Sequence, residues 1–253
     1  MAEDSYYLKT IGNTLDLINV FIEQRRPLTI AEIINYSGLD RATTNRIVYT
    51  LAKENFFVKK EKKYSLSVKV LDLGDAYLAS NNILQAAQDE INELANQYGE
   101  LVTLYINRSD RNSMLYYCEP PTATYHHSQM SHSMPRNCTS VGKVFLSQYS
   151  DGEIRTIMEK EGFVRNTEKS ICEIEPLLEE VHFVQKNGYA TCVGEYTLDT
   201  GAIGIPVVDD SGEILFALSF SYGASMTQSR LDLAIPGLLE AGKRLTSKLK
   251  YVK

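Results

Sequence analysis

The sequence has no run of about 18 apolar residues, so no stretch reads as a membrane-spanning helix. Its first residues, MAEDSYYLKTIGN, lack a basic start followed by an apolar segment, which predicts no secretory leader. The four cysteines, Cys118, Cys138, Cys172 and Cys192, are widely spaced and form no CxxC pair, the usage of reduced thiols in the cytoplasm. No H-E-x-x-H, G-x-S-x-G or phosphate-binding loop occurs, so nothing points to a protease, a serine hydrolase or a nucleotide enzyme. His126, His127 and His132, with Cys118 and Cys138, are the one set that could suggest a metal site or a Cys–His nucleophile. Their spacing matches no zinc pattern. The expectation is no enzyme, no metal and no cofactor.

What is present is a folded composition: 253 residues, 43% hydrophobic and 23% charged, enough for two domains. The net charge of −6 argues at first against nucleic acid. Its distribution argues otherwise. Between Arg41 and Lys69 there are eight bases (Arg41, Arg46, Lys53, Lys59, Lys60, Lys62, Lys63, Lys69) and two acids (Glu54, Glu61), a local charge of +6. A solvated lysine-rich turn is the plain reading of such a run. Its place in the chain favours a different one.

Residues 29–66 (TIAEIINYSGLDRATTNRIVYTLAKENFFVKKEKKYSL) read as helix, turn, helix and hairpin. Thr29 with Glu32 is the pattern of a capping box. Gly38 supplies the turn, and Asp40 can cap the next helix. In that helix Thr44, Ile47, Val48 and Leu51 recur at core spacing. Arg41, Thr43, Asn45, Arg46 and Tyr49 are left on or near the other side. Arg and Asn make two-pronged contacts with guanine and adenine edges, and Thr suits phosphates or a thymine methyl. Phe57-Val58 and Tyr64-Ser65-Leu66 read as a hairpin whose lysine tip suits phosphates. The expected DNA-contacting set is Thr29, Arg41, Thr43, Thr44, Asn45, Arg46, Tyr49, Lys59, Lys60, Lys62 and Lys63. The alternative is a metal-binding or ligand-sensing module with no direct DNA readout.

Ahead of this stretch, residues 11–24 read as a helix with Ile11, Leu15, Ile18, Val20, Phe21 and Ile22 mostly at helical spacing. Behind it, 68–80 reads as a linker helix and 82–98 as a helix stopped by Gly99. Strands are expected over 101–106, 113–118, 122–132, 189–193, 202–208 and 214–221. Helices are expected over 141–148, 151–160, 173–187 and 230–249. The irregular alternation predicts an α+β domain with a mostly antiparallel sheet flanked by helices.

At this point the chain resembles the IclR family of bacterial transcription regulators. Four stretches carry the resemblance: GLDRATTNRIVYTL in the helix-turn-helix, YSLSVKVLDLG at the wing exit, TSVGKVFL at 139–146, and 188–223 (GYATCVGEYTLDTGAIGIPVVDDSGEILFALSFSYG). Asp40 stands where Pro is usual, Asn137 where His is common, Ser140 where Ala is usual, and Gly194 where an acid is usual. The resemblance implies a winged helix-turn-helix (1–67), a linker helix (68–80) and a GAF-like, profilin-like α/β sensor domain (81–253). It implies operator DNA and a small-molecule effector as partners, and dimers or tetramers. It places the effector against Thr139, Ser140, Val141, Gly142, Cys192, Ala202, Ile203, Ser219 and Ser221. A helix start near Ser140 offers amide groups to a small organic acid, and Ser219 and Ser221, two apart on a strand, share a face.

Overall fold

A computed structural model describes residues 6–79, 82–107, 112–129, 133–209, 211–223 and 225–249. Contacts divide the chain into two compact units, Met1–Ser80 and Asn81–Lys253.

The first unit holds α1 (Lys9–Gln24), β1 (Leu28–Thr29), α2 (Ile30–Ser37), α3 (Arg41–Lys53), β2 (Phe57–Lys60), β3 (Lys63–Leu66) and α4 (Val70–Ala79). The capping box forms. Thr29 Oγ1 accepts from the Glu32 amide, and the Glu32 carboxylate accepts from the Thr29 amide and hydroxyl. The Thr29 amide first, then the Arg26 guanidinium and the Thr29 hydroxyl, hold the Glu32 carboxyl down to about 2. Gly38 ends α2 at φ 68°, and Asp40 caps α3 by accepting from the Ala42 and Thr43 amides. Leu17, Phe21, Leu28, Ile33, Ile47, Val48, Leu51 and Phe57 make the core.

Two details depart from expectation. Ile11, Leu15 and Ile22 are exposed, and Leu17 takes the fully buried place on α1. The hairpin strands also run further into the lysine run, so that Lys60 pairs with Lys63 around a two-residue turn, Glu61-Lys62. β1 adds a third strand, with Thr29 opposite Lys63.

The second unit holds a six-stranded antiparallel sheet in the order β6-β5-β4-β9-β8-β7. Its strands are β4 (Leu101–Asn107), β5 (Asn112–Cys118), β6 (Ser133–Met134), β7 (Ala190–Val193), β8 (Thr200–Val208) and β9 (Ile214–Gly223). α5 (Asn82–Tyr98) and α9 (Gln228–Leu249) cover one face, where Ile91, Leu94, Leu104, Ile205, Leu218 and Leu238 meet. α6 (Ser140–Leu146) and α8 (Ile174–Asn187) lie on the other, around Tyr105, Val144, Phe145 and Val184. α7 (Asp151–Glu161) packs on α8.

The expected strand over 122–132 does not form. The described part of that stretch is a turn followed by a 3-10 turn at His127–Gln129, and 130–132 lies outside the described residues. The backbone is claimed by side chains instead: Glu100 accepts from the Thr124 amide, and Glu119 accepts from the His127 amide. The two-residue strand β6 follows, pairing Met134 with Asn112. The expected turn at 108–112 lies outside the described residues except for Asn112, which opens β5.

Candidate functional sites: an exposed helix face and a cavity beside the sheet

On α3 the four buried residues are Thr44, Ile47, Val48 and Leu51. The opposite side of a 3.6-residue helix then carries Ala42, Arg46, Tyr49 and Lys53. Arg41 and Asn45 flank it on one side. Thr43 and Arg46 line a groove with Lys9, Thr10 and Asn13 of α1 on the other. Arg41, Asn45, Arg46 and Tyr49 are exposed, and Thr43 is half-buried.

Thr44 has to be withdrawn from the DNA-contacting set. It is fully buried, and its hydroxyl donates to the Asp40 carbonyl oxygen. Thr29 also has no hydroxyl to spare, because the capping box engages it both as donor and as acceptor. Of the wing lysines, Lys59 lies over the Tyr64 ring at 5.3 Å. Lys60, Lys62 and Lys63 are exposed around the turn. Glu61 there takes φ 54°, a conformation that asparagine or glycine would adopt more cheaply.

In the second unit a cavity opens between the sheet and the start of α6. It is lined by Tyr125, Met134, Thr139, Ser140, Val141, Cys192, Tyr196, Thr200, Gly201, Ala202, Ser219 and Ser221. The space between these residues that is empty of protein atoms is about 360 Å³, part of it open to solvent. The register explains the convergence. Ser221 lies opposite Ala202 on β8, and Ala202 lies opposite Cys192 on β7, so the three share a face. Ser219 and Ser221 hydroxyls stand 3.2 Å apart, both nearly fully buried.

Seven of the nine expected effector residues line this cavity. Gly142 and Ile203 do not. Ile203 is one residue on from Ala202, so it points through the sheet into the core under α5 and α9. Gly142 is a packing residue: a Cβ there would meet the Arg136 Cα and carbonyl oxygen at 2.4 Å. Its amide is also taken, because the Thr139 hydroxyl accepts from it at 3.1 Å as the N-cap of α6. The helix start therefore offers fewer amides than its sequence suggests.

Tyr125, Met134, Tyr196, Thr200 and Gly201 were not visible as site residues in the sequence. They reach the cavity from irregular segments and strand ends that no local periodicity marks.

Beneath the cavity, Lys143 on α6 is fully buried. Its Nζ donates to Glu195 at 2.7 Å, to Glu180 at 3.0 Å and to the Thr191 carbonyl oxygen at 3.0 Å. Asn137 holds the following loop by donating to the Val164 and Ile171 carbonyl oxygens. Burial first, and then the Glu195 charge, push the Cys138 and Cys192 thiols up to about 12. Cys192 donates to the Cys138 carbonyl oxygen at 3.2 Å. Neither thiol is a nucleophile near neutral pH.

The histidines gather elsewhere. His126 and His127 each place Nδ1 2.7 Å from a Glu119 oxygen, and the His127 ring stacks on Tyr117 at 4.1 Å. The His127 amide is the first cause holding the Glu119 carboxyl down to about 2. His132 lies outside the described residues. Among the described residues, no three His, Cys, Asp or Glu side chains gather as a metal site.

The sequence is 29% identical to the Pca regulon regulatory protein of Pseudomonas putida, over 97% of this chain and 86% of the relative. Its fold is similar to that of a transcriptional regulator from Alicyclobacillus acidocaldarius, with a TM-score of 0.83, 22% identity, and 96% and 100% of the two chains covered. A homologue from Microbacterium hydrocarbonoxydans, solved in complex with 4-hydroxybenzoate, superimposes with a TM-score of 0.79 at 16% identity over 95% and 98%. The family model for the IclR helix-turn-helix domain matches residues 10–60. The model for the C-terminal part of the bacterial transcriptional regulator IclR matches residues 75–246. A helix-turn-helix DNA-binding domain thus precedes a ligand-binding domain, and the chain belongs to the IclR family of bacterial transcriptional regulators.

Proposed function

We propose that this chain is a cytoplasmic operator-binding regulator, not an enzyme, whose DNA affinity changes when a small organic acid occupies the cavity beside α6. The observation that carries the reading is the cavity itself: an apolar chamber with a few convergent hydroxyls, the composition of ligand sites. Among the described residues, no charged side chain lines it. An acid there would be met by the Ser219 and Ser221 hydroxyls and by the Ser140 and Val141 amides, while the Thr139 hydroxyl is taken up by the Pro135 carbonyl oxygen and the Gly142 amide. The similar fold that carries 4-hydroxybenzoate supports the choice of an organic acid.

Arg41, Thr43, Asn45, Arg46 and Tyr49 carry base discrimination in this reading, and Lys59, Lys60, Lys62 and Lys63 carry phosphate contact. The protein works as a homodimer or tetramer, which places recognition helices about 34 Å apart or a multiple of that on a two-fold-related operator. Exposed Leu8, Ile11 and Leu15 on and before α1, and Leu71 and Leu73 on α4, supply apolar surface for such an assembly.

Two results are expected. Arg46→Ala should cost about 1–3 kcal/mol on an operator selected from random DNA and much less on random DNA. Equal losses on both, by fluorescence anisotropy, would reduce Arg46 to a phosphate contact. Ser219→Ala with Ser221→Ala should weaken acid binding roughly 10-fold by calorimetry, in line with one or two lost hydrogen bonds. Ligand-free DNA binding should stay as it was. Unchanged acid affinity would move the site elsewhere.

A further inference from the structure

Helix α1 changes character along one face. Toward the core it buries Leu17, Val20 and Phe21. Stepping back three or four residues at a time, the same face continues as Thr14, Asn13, Thr10 and Lys9. An inner face that is apolar in its later turns and polar in its first ones has run past the core. There it overlooks α3: these four residues line one wall of a groove, and Thr43, Arg46 and Thr50 line the other. The exposed apolar residues Ile11 and Leu15 lie on the outer side of α1, away from the groove.

The hydrogen-bonding groups of the groove are unevenly engaged. The Thr14 and Thr50 hydroxyls donate back into their own helices, to the Thr10 and Arg46 carbonyl oxygens. Asp40, the acid at the groove, is committed to the Ala42 and Thr43 amides. That leaves the Lys9 ammonium, the Thr10 hydroxyl, the Asn13 amide and the Arg46 guanidinium. None of these four has a hydrogen-bond or ion-pair partner among the described residues. All four can donate, two are cations, and the first turn of α1 holds no acid to offset Lys9. Such a set complements a row of anionic oxygens.

We propose that the inner face of α1 is a further DNA-backbone surface, on which Lys9, Thr10 and Asn13 hold phosphates beside α3. The inference rests on the reading above that α3 faces DNA, and it adds a helix that the recognition helix and the lysine wing do not include. Phosphate contacts fix register and orientation, whereas base contacts specify. Lys9, Thr10 and Asn13 are therefore positioning residues. They set the groove edge from which Arg46 reaches the bases.

The test uses the full chain, an operator selected from random DNA and an unrelated duplex of equal length. Anisotropy titrations run between about 50 and 200 mM KCl. Lys9→Ala should make the fall of log K with log salt shallower by about 0.9 for each protomer bound, the mark of one lost phosphate contact. It should weaken both duplexes by the same factor, roughly 2- to 5-fold. The preference for operator should stay as in wild type. Lys9→Arg should restore the slope. Asn13→Ala should weaken both duplexes and leave the slope alone, since it removes a neutral donor. All three variants should melt with wild type and keep its oligomeric mass.

A Lys9→Ala protein with the wild-type salt slope, or with a loss confined to the operator, would overturn the inference. So would a changed oligomeric mass, because the face would then be an interface between copies of this chain. Arg46→Ala combined with Asn45→Ala separates the two readings. If that variant loses the operator while Lys9→Ala changes nothing, only the α1 surface falls. If neither alters DNA binding, the reading of α3 falls with it.

Discussion

Lys143→Ala is expected to destabilise the second unit by about 3–5 kcal/mol, the cost of stranding a buried charge. A domain of this size has about 5–15 kcal/mol in total, so the variant should sit near the edge of folding. The cause lies at Nζ. Its three protons go to Glu195, Glu180 and the Thr191 carbonyl oxygen, so the ammonium is fully satisfied without water. Burial pulls the lysine pKa down, but the charge and hydrogen bond of Glu195 outweigh it and hold it above its ordinary value. Burial also lifts the Glu195 carboxyl, against the pull of Lys143.

Remove the lysine, and Glu195 keeps the desolvation while losing the compensation. Lys143→Met, which restores most of the volume, should therefore fare little better than alanine. Lys143→Met with Glu195→Leu removes both charges and should recover most of the loss. Thermal unfolding of the four proteins decides the matter: a double variant no better than the singles would contradict this account. The cavity is coupled to this ion pair, since Tyr196, a cavity residue, follows Glu195 in the same turn and Cys192 lies on the strand that leads into it. Thr167 and Ser170 donate to the Glu195 carbonyl oxygen and tie that turn to the loop before α8.

Gly142→Ala is the second large effect, expected at about 3 kcal/mol or more, at the severe end of overpacking. A methyl at this position would lie 2.4 Å from the Arg136 Cα and carbonyl oxygen, both backbone atoms. Arg136 is not free to retreat. Its guanidinium donates to Glu161 and Asn107, and the next residue, Asn137, is pinned to Val164 and Ile171. α6 would have to leave the sheet and take Thr139, Ser140 and Val141 away from the cavity. Gly152→Ala in α7 is the control, with no atom within 4 Å of the added methyl. It should be neutral or stabilising by up to about 1 kcal/mol, the helix preference of alanine over glycine. A Gly142→Ala protein that melts with wild type and binds acid normally would contradict the close-approach argument.

Legibility in the sequence followed the range of the physics involved. The helix-turn-helix was readable because its determinants are local: Thr29 with Glu32, Gly38 and Asp40 act within a few residues of themselves. The face of α3 followed from periodicity, which also predicted the burial that removes Thr44 from the DNA-contacting set. The cavity was readable in its central part. Ser219 and Ser221 obey the two-residue period of a strand, and Thr139 begins a helix. Ile203 was misplaced by that same period, because a residue beside a lining position faces the opposite way. The stretch 122–132 looked like a strand from its Thr and Tyr content. Glu100 and Glu119 decide otherwise by taking the Thr124 and His127 amides, and separations of 24 and 8 residues carry no local pattern. Tyr105 was legible as a core strand residue, but its packing against Met134, Val141 and Phe145 joins segments that no local pattern connects.

The central claim is that the cavity controls the helix-turn-helix. Allosteric control is a coupling free energy between two sites, and it has to be reciprocal. The most direct measurement is a titration of the full chain with an operator selected from random DNA, by anisotropy, with and without a saturating acid found by thermal shift. The account predicts a 5–150-fold change in operator affinity, equivalent to about 1–3 kcal/mol of coupling, that is lost in the Ser219→Ala, Ser221→Ala protein. Operator affinity that stays the same with the acid bound would contradict it.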